Sequence, residues 1–413
     1  MKVLITHVYS NDNKGDAAIL SVLVGDIRQT FPKSNISILT FDKIRPGEKF
    51  ESVPVHQSFM GLALTSPRFK PFKLPYSLYV IFATLLAAFL YRIGISLPLG
   101  RKLNQPFNLY RQADLVVGVG GGYLRGKPGL TSTIELILQL HPLFLSRLLN
   151  QKVVLYSQSI GPFGNRFQQW LATRALRHTG LIIAREDITA GLLKKLKITQ
   201  NVTRSVDAGF AFDATSPVDL HRQLSIPASK KIVGITVRKW LSTAQQESYE
   251  RSVAALADFL VIQGYAVVFV PQVTSPTHND DDRLASRDVY HHMTEHANVH
   301  LIERRLDHRA IKNLYAGLDL LVGTRFHSVI FSLTSCVPAL AIEYEHKTSG
   351  IMQDLGLGHW VIKIEDVTAP KLIKLMQNLI AHEDNYRAKL QKSLPSYIAQ
   401  ARQTRQLLKD TIQ

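Results

Sequence analysis

Short runs of β-branched and aliphatic residues alternate along the chain with helix-length windows, the pattern of parallel strands joined by crossover helices. In the first half, Lys2 to Thr6, Ile36 to Thr40, Asp114 to Gly118, Val153 to Ser157 and Leu181 to Ala184 read as strands. A second series follows at Lys231 to Val237, Ala266 to Pro271, Val299 to Ile302, Leu320 to Gly323 and Ala339 to Ile342, separated by helical windows such as Gln245 to Ile262 and His308 to Gly317. Between the two series, Phe212 to Lys230 is rich in Pro, Ser and Asp and holds no period, which marks a boundary. The pattern predicts an α/β protein of two Rossmann-like parallel-sheet domains facing a cleft. Residues 1–212 form the first, 213–230 a linker, 231–382 the second, and 383–413 a C-terminal helix crossing back to the first. Ligands of such sheets bind at the carboxyl ends of the strands, so functional residues are expected in the loops just after them.

One segment does not fit this alternation. Leu74 to Tyr91 runs 18 residues without a charge or a histidine, between Lys70 and Lys73 on one side and Arg92, Arg101 and Lys102 on the other. That length is at the lower limit for a membrane span. A crossing would separate the Val3 strand from everything after Tyr91, although both belong to one sheet. The segment is therefore expected to be a helix, either buried against protein or docked on a membrane surface with basic flanks.

Composition narrows the class. The 413 residues are 46% hydrophobic and 20% charged, which describes a folded globular protein and excludes a disordered or collagenous one. Lys and Arg outnumber Asp and Glu 49 to 32, for a formal charge of +17. The single cysteine, Cys336, excludes an intrachain disulfide and a cysteine-rich zinc site and fits a reducing compartment. The opening MKVLITHVYSND contains no signal-peptide pattern, so a cytoplasmic location is expected. The basic residues are dispersed and lack a nucleic-acid-binding module, so no nucleic acid partner is expected. No HExxH or comparable spacing occurs among the histidines, so no metal is expected, and His278 with Asp280 to Asp282 reads as an exposed charged loop.

Several strand exits carry candidate chemistry. After the first strand, NDNKGDAAI makes a turn in which Asp16 sits at or near the cap of a helix starting at Ala17, and Asn13 and Asp16 can also hold sugar hydroxyls. In DLVVGVGGGYL, Gly121 and Gly122 follow a buried strand and permit close backbone approach, but Tyr123 stands where a dinucleotide fingerprint needs glycine. Gln158 lies in the next exit and Arg185 in the one after. The richest stretch is GTRFHSVIFSL followed by VPALAIEYEHKTSG, where Arg325 and His327 open a helix beside backbone amides that favour an anion. Lys347 follows the neighbouring strand.

Together NDNKGDAAI, ADLVVGVGGGYL, SQSIGPF, AREDIT, VDAGF, VGITVR and the RFH and EHK stretches resemble the polysaccharide pyruvyl transferase family over roughly residues 11–350. The resemblance implies a GT-B-like fold and transfer of pyruvate from phosphoenolpyruvate onto a sugar as a cyclic ketal during exopolysaccharide or cell-envelope glycan synthesis. It maps phosphoenolpyruvate binding to Arg185, Arg325, His327 and Lys347. The departures are Ser335 and Cys336, where a smaller residue is common, and the Leu74 segment, which belongs to no diagnostic motif. Ketal formation adds a proton to C3 of the donor, joins two hydroxyl oxygens to C2 and expels phosphate. That chemistry needs cations and a proton shuttle. His327 is the expected general acid and Asp16 the candidate base. Arg185, Arg325 and Lys347 form the donor clamp, while Asn13, Asp16, Gly121, Gly122 and Gln158 take the acceptor. No cofactor is expected beyond the donor substrate. A glycan acceptor carried on a lipid diphosphate or a nucleotide would match the basic excess, and a lipid carrier would also match the apolar segment and peripheral membrane contact. Two other readings share these residues: a GT-B glycosyltransferase consuming a nucleotide sugar, and a non-enzymatic glycan- or polyanion-binding protein.

Overall fold

The computed structural model describes residues 1–65, 72–213, 216–275, 280–345 and 347–411. The chain divides into two compact units. The first comprises residues 1–11, 19–208 and 400–413, and the second residues 12–18 and 209–399.

The first unit is built on a sheet whose strands are β1 (Lys2–Val8), β2 (Asn35–Thr40), β3 (Lys49–Phe50), β4 (Val53–Gln57), β5 (Leu115–Gly118), β6 (Gly121–Leu124), β7 (Lys152–Ile160), β8 (Leu181–Ala184) and β9 (Val202–Arg204). Their order is β3-β4-β2-β1-β5-β7-β8-β9, with β6 against β7; only the β3–β4 pair is antiparallel. The central strands are apolar without alternation because helices cover both faces. Val3, Leu4 and Ile5 of β1 and Leu115, Val116 and Val117 of β5 are all buried.

In the second unit, β10 (Ile232–Thr236), β11 (Ala266–Phe269), β14 (Val299–Leu301), β15 (Leu320–Gly323), β16 (Ala339–Glu343) and β17 (Val361–Lys363) form an all-parallel sheet ordered β14-β11-β10-β15-β16-β17. A separate antiparallel ribbon pairs β12 (Thr274–Ser275) with β13 (Asp280–Asp281). The helix Ala369–Ala381 and the longer Glu383–Asp410 complete the chain, and the end of the latter belongs to the first unit.

The strands read from sequence are present within a residue or two, except that β7 runs on to Ile160. Those not read are short or carry little apolar signal: β3, β4, β6, β9, β12, β13 and β17. Residues 12–18, expected in the first domain, cluster with the second unit because their backbone pairs with 272–274, as described below. The expected linker carries the short helix Leu220–Leu224 and clusters with the second unit. Lys70, expected to flank the apolar segment, lies outside the described residues. Leu74 to Tyr91 does form a helix, Lys73–Arg92.

Candidate active site

In the second unit the chain winds outward in both directions from β10, so β10 and β15 flank the point where the winding reverses. Open parallel sheets bind ligands there. Two arginines leave the sheet at that point, Arg238 two residues after β10 and Arg325 two residues after β15. Thr236, at the end of β10, ties the two exits together. Its hydroxyl accepts from the N–H groups of Thr324 (2.9 Å) and Arg325 (3.3 Å) and lies 3.0 Å from the Ser328 hydroxyl. Backbone amides at 324 and 325 therefore already have an acceptor within the sheet.

Arg325 precedes the helix Phe326–Leu333 and is almost enclosed. Its Nη2 is 2.6 Å and its Nε 3.1 Å from Asp282 Oδ1, and its Nη1 is 3.2 Å from Asp280 Oδ2. The second oxygen of Asp282 accepts the N–H groups of Gln272 (3.0 Å) and Val273 (2.9 Å). Burial opposes the arginine's charge, but Asp282 and Asp280 outweigh it and raise its pKa above the ordinary arginine value. The acidic run expected as an exposed loop is thus the partner of Arg325, and Asp282 is only 1% exposed. The physical reason is that an enclosed guanidinium without carboxylates would be an isolated buried charge. His278 of that run lies outside the described residues.

Arg238 is held differently. Its guanidinium carbon sits 4.2 Å from the Tyr344 ring centroid and 4.5 Å from that of Trp240, and the two rings meet each other at 5.0 Å, so the cation rests over the aromatic pair. Asp280 is 3.8 Å away, and Arg238 Nε is buried with no hydrogen-bond partner among the described residues. Burial, and then the neighbouring Arg325, lower its pKa. Sequence reasoning passed over Arg238, although an arginine just beyond a strand was the signal that selected Arg185 and Arg325.

The segment after β1 completes this cluster. Asn13 forms a bridge to Val273, Lys14 N–H donates to Gln272 O (3.0 Å), and Thr274 N–H donates to Asp12 O (3.1 Å). Gly15 is thereby pressed onto His327: a Cβ on Gly15 would lie 2.1 Å from the imidazole Nδ1. The helix here is Lys14–Thr30 and Asn13 is its cap, with Oδ1 accepting Gly15 N–H (3.1 Å) and Nδ2 donating to the Asp16 carboxylate (2.9 Å). The helix thus starts three residues before the expected Ala17, and Asp16, expected at or near the cap, lies in the first turn, where a carboxylate is favoured. Lys347 opens the helix Lys347–Asp354 beyond β16, with Nζ 3.2 Å from Glu345.

Asn13, Asp16, Arg325, His327 and Lys347 belong to the second unit, and Gly121, Gly122, Gln158 and Arg185 to the first. Arg185 Nη1 is 2.6 Å from Asp207, and its Nε donates to Ser159 Oγ (2.7 Å), all three side chains being buried. Gly121 and Gly122 form the start of β6. The glycine run reflects crowding: a Cβ on Gly120 would meet Ser157 O at 2.8 Å. Gln158 is 0% exposed, its amide donating to Val119 O and the Tyr123 hydroxyl, so it braces the glycine segment and has no surface for a sugar.

Against the carboxyl ends of β1 and β2 in the first unit lies a mostly apolar pocket, part of it open to solvent. His7, Tyr9, Phe41, Tyr123 and His141 are among its lining residues. His7 stacks on Tyr123 and Tyr9 on Phe41, each at 4.9 Å. The pocket was not anticipated, because its aromatic residues are spread over five separate segments.

A family model described as polysaccharide pyruvyl transferase matches residues 13–346. The amylovoran biosynthesis protein AmsJ of Erwinia amylovora is 27% identical over 411 residues, covering 94% of this chain and 93% of that protein. Among solved structures, UDP-GlcNAc 2-epimerase from Neisseria meningitidis bound to UDP-GlcNAc is similar with a TM-score of 0.60 at 12% identity, covering 100% of this chain and 99% of that one. Sucrose-phosphate synthase from Thermosynechococcus elongatus gives 0.56 at 14%, with coverage of 99% and 98%. These two establish the GT-B-like fold of paired Rossmann-like units and nothing about substrate. The match over most of the length, which takes in Arg325 and His327 and ends beyond β16 just before Lys347, makes this chain a transferase belonging to the polysaccharide pyruvyl transferase family.

Proposed function

We propose that the protein transfers pyruvate from phosphoenolpyruvate to a sugar of an exopolysaccharide precursor, as a cyclic ketal, with release of phosphate. The observation that carries this reading is the convergence of Arg238, Arg325 and the Gly15-backed His327 at the reversal point of the second sheet. Two arginines facing two aspartates leave that cluster with no net charge. Binding a donor with three negative charges therefore draws on Lys347 and on the protonated form of His327. Arg238 offers its buried Nε–H to the donor, and Arg325 fixes the acidic ribbon beside it. Arg185 is assigned to donor binding on the family resemblance alone.

In the reaction, His327 gives its proton to C3 of the donor, which makes C2 electrophilic. One sugar hydroxyl adds to C2, and the second displaces phosphate; one hydroxyl proton returns to the histidine and the other leaves with phosphate. Asp16, beside Gly15, is the base for the acceptor hydroxyl and hands that proton on to the leaving phosphate. No resident cofactor enters this scheme, since arginine and lysine neutralise the phosphate. The acceptor in this reading is carried on a lipid diphosphate or a nucleotide, in the cytoplasm at the inner face of the membrane, a carrier suggested by the basic excess of the chain.

Incubation of the purified protein with phosphoenolpyruvate and a carrier-linked glycan tests this. Phosphate release matched by a glycan carrying one ketal-linked pyruvate is expected, and His327→Gln should lower turnover by about 10²- to 10⁴-fold. Consumption of a nucleotide sugar instead, or full turnover by His327→Gln, would overturn it.

A further inference from the structure

The helix Lys73–Arg92 has two unlike faces. Ser77, Val80, Ala83, Thr84, Ala87 and Ala88 are buried, and their small size lets the helix Leu130–Leu148 approach closely. Thr84 Oγ1 lies 2.7 Å from His141 Nε2 across that contact. The opposite face leaves Leu78, Tyr79, Phe82, Phe89 and Tyr91 at least two-fifths exposed, with Phe82 at 68%, and Ile93 continues it. An exposed stripe of this length on one unit exceeds the scattered apolar residues of an ordinary surface.

The surrounding charge is one-sided. Residues 52–113 contain no Asp or Glu, while Lys73, Arg92, Arg101, Lys102 and Arg111 lie within them. Arg111 stands over the Tyr91 ring at 4.4 Å, placing a cation at the edge of the stripe. Arginines, lysines and tyrosines around an apolar helix face match the interface of a bilayer with anionic headgroups.

We infer that this face docks on the surface of an anionic membrane, with the helix lying in the plane of the interface. A second copy of the chain fits less well, because two such faces would juxtapose basic residues with no carboxylate between them. A span does not fit either, because the small-residue face is already committed to the protein core. The inference goes beyond the pyruvyl transfer reading and stands without it, since vesicle binding is read in the absence of donor and acceptor.

The test is flotation of the full chain with vesicles of phosphatidylcholine alone and of phosphatidylcholine mixed with phosphatidylglycerol. Binding to the mixed vesicles that weakens as salt rises is expected. The variant Leu78→Ser/Phe82→Ser/Phe89→Ser should bind about a hundredfold more weakly with an unchanged melting transition. The variant Arg92→Gln/Arg101→Gln/Lys102→Gln should lose the preference for the anionic lipid. As an independent measurement, Phe82→Trp should show blue-shifted emission, quenched by brominated acyl chains, when mixed vesicles are added. Absence of wild-type binding, undiminished binding by the serine variant, or a Phe82→Trp emission unmoved by vesicles would overturn the inference. So would unfolding of the serine variant, which would place the face in the core, or a wild-type dimer abolished by the serine substitutions.

Discussion

Gly15 lies against the imidazole of His327, so closely that any β-carbon would fall 2.1 Å from Nδ1. The contact joins the helix start after β1 to the helix start after β15, and it explains why glycine stands between the Asn13 cap and Asp16. Gly15→Ala must move either the imidazole or the helix. Such overpacking costs about 1–3 kcal/mol, and phosphate release from phosphoenolpyruvate should fall by at least tenfold while the protein remains folded. Gly25, in the same helix, has nothing within 4 Å of its Cβ position. Gly25→Ala should therefore keep full activity and raise stability by about 0.5–1 kcal/mol.

Arg325 and Asp282 form a buried pair at 2.6 Å whose separate halves are worth little alone. Removing one member leaves an uncompensated charge, at a cost of about 3–5 kcal/mol. Asp282→Asn and Arg325→Met are each expected to lower the urea midpoint strongly. The double variant should be destabilised by less than the sum, by 1 kcal/mol or more, because no orphaned charge remains. Additive effects would show that the pair is not coupled.

These two relationships also show what the sequence could and could not disclose. Strands such as Leu181–Ala184 and Leu320–Gly323 were legible because a parallel strand covered on both faces is an unbroken apolar run. The residues after them, Arg185 and Arg325, followed from the rule that loops at strand ends carry chemistry. Their partners were not legible. Asp207 and Asp282 lie 22 and 43 residues away, and nothing local marks a carboxylate that will be buried. The same holds for the membership of residues 12–18 in the second unit, which rests on backbone pairing with 272–274 and not on composition. Gln158 was misjudged for a related reason: a polar side chain at a strand end looks available until the neighbouring strand encloses it.

Two histidines of the first unit, the buried His141 and the half-buried His7, make its stability depend on pH. Burial lowers the pKa of His7 and of His141 to about 4, against about 6.5 for a free imidazole. The unfolded chain then binds more protons between pH 4 and 6.5, so stability is complete above that window and falls as pH drops through it. The loss is about 2 kcal/mol per histidine at pH 5. Thermal melts at pH 7 and pH 5 should show a marked drop, and His141→Gln should reduce the pH-dependent part. An unchanged transition across this range would mean that these side chains reach solvent when protonated.

Arg238 is the residue on which donor binding should depend most steeply. Its planar guanidinium rests over the paired rings of Trp240 and Tyr344, and its Nε–H is buried. Lysine keeps the charge but not the plane, the fork of donors or the stacking. Arg238→Lys is therefore expected to raise KM for phosphoenolpyruvate by tenfold or more, with a much smaller change in kcat and little change in melting temperature. Trp240→Ala removes one wall and leaves the charge, so it should raise KM in the same direction by less. Initial rates of phosphate release against donor concentration separate the two parameters. If both variants lowered kcat alone, Arg238 would act on the reacting atoms and not in holding the donor.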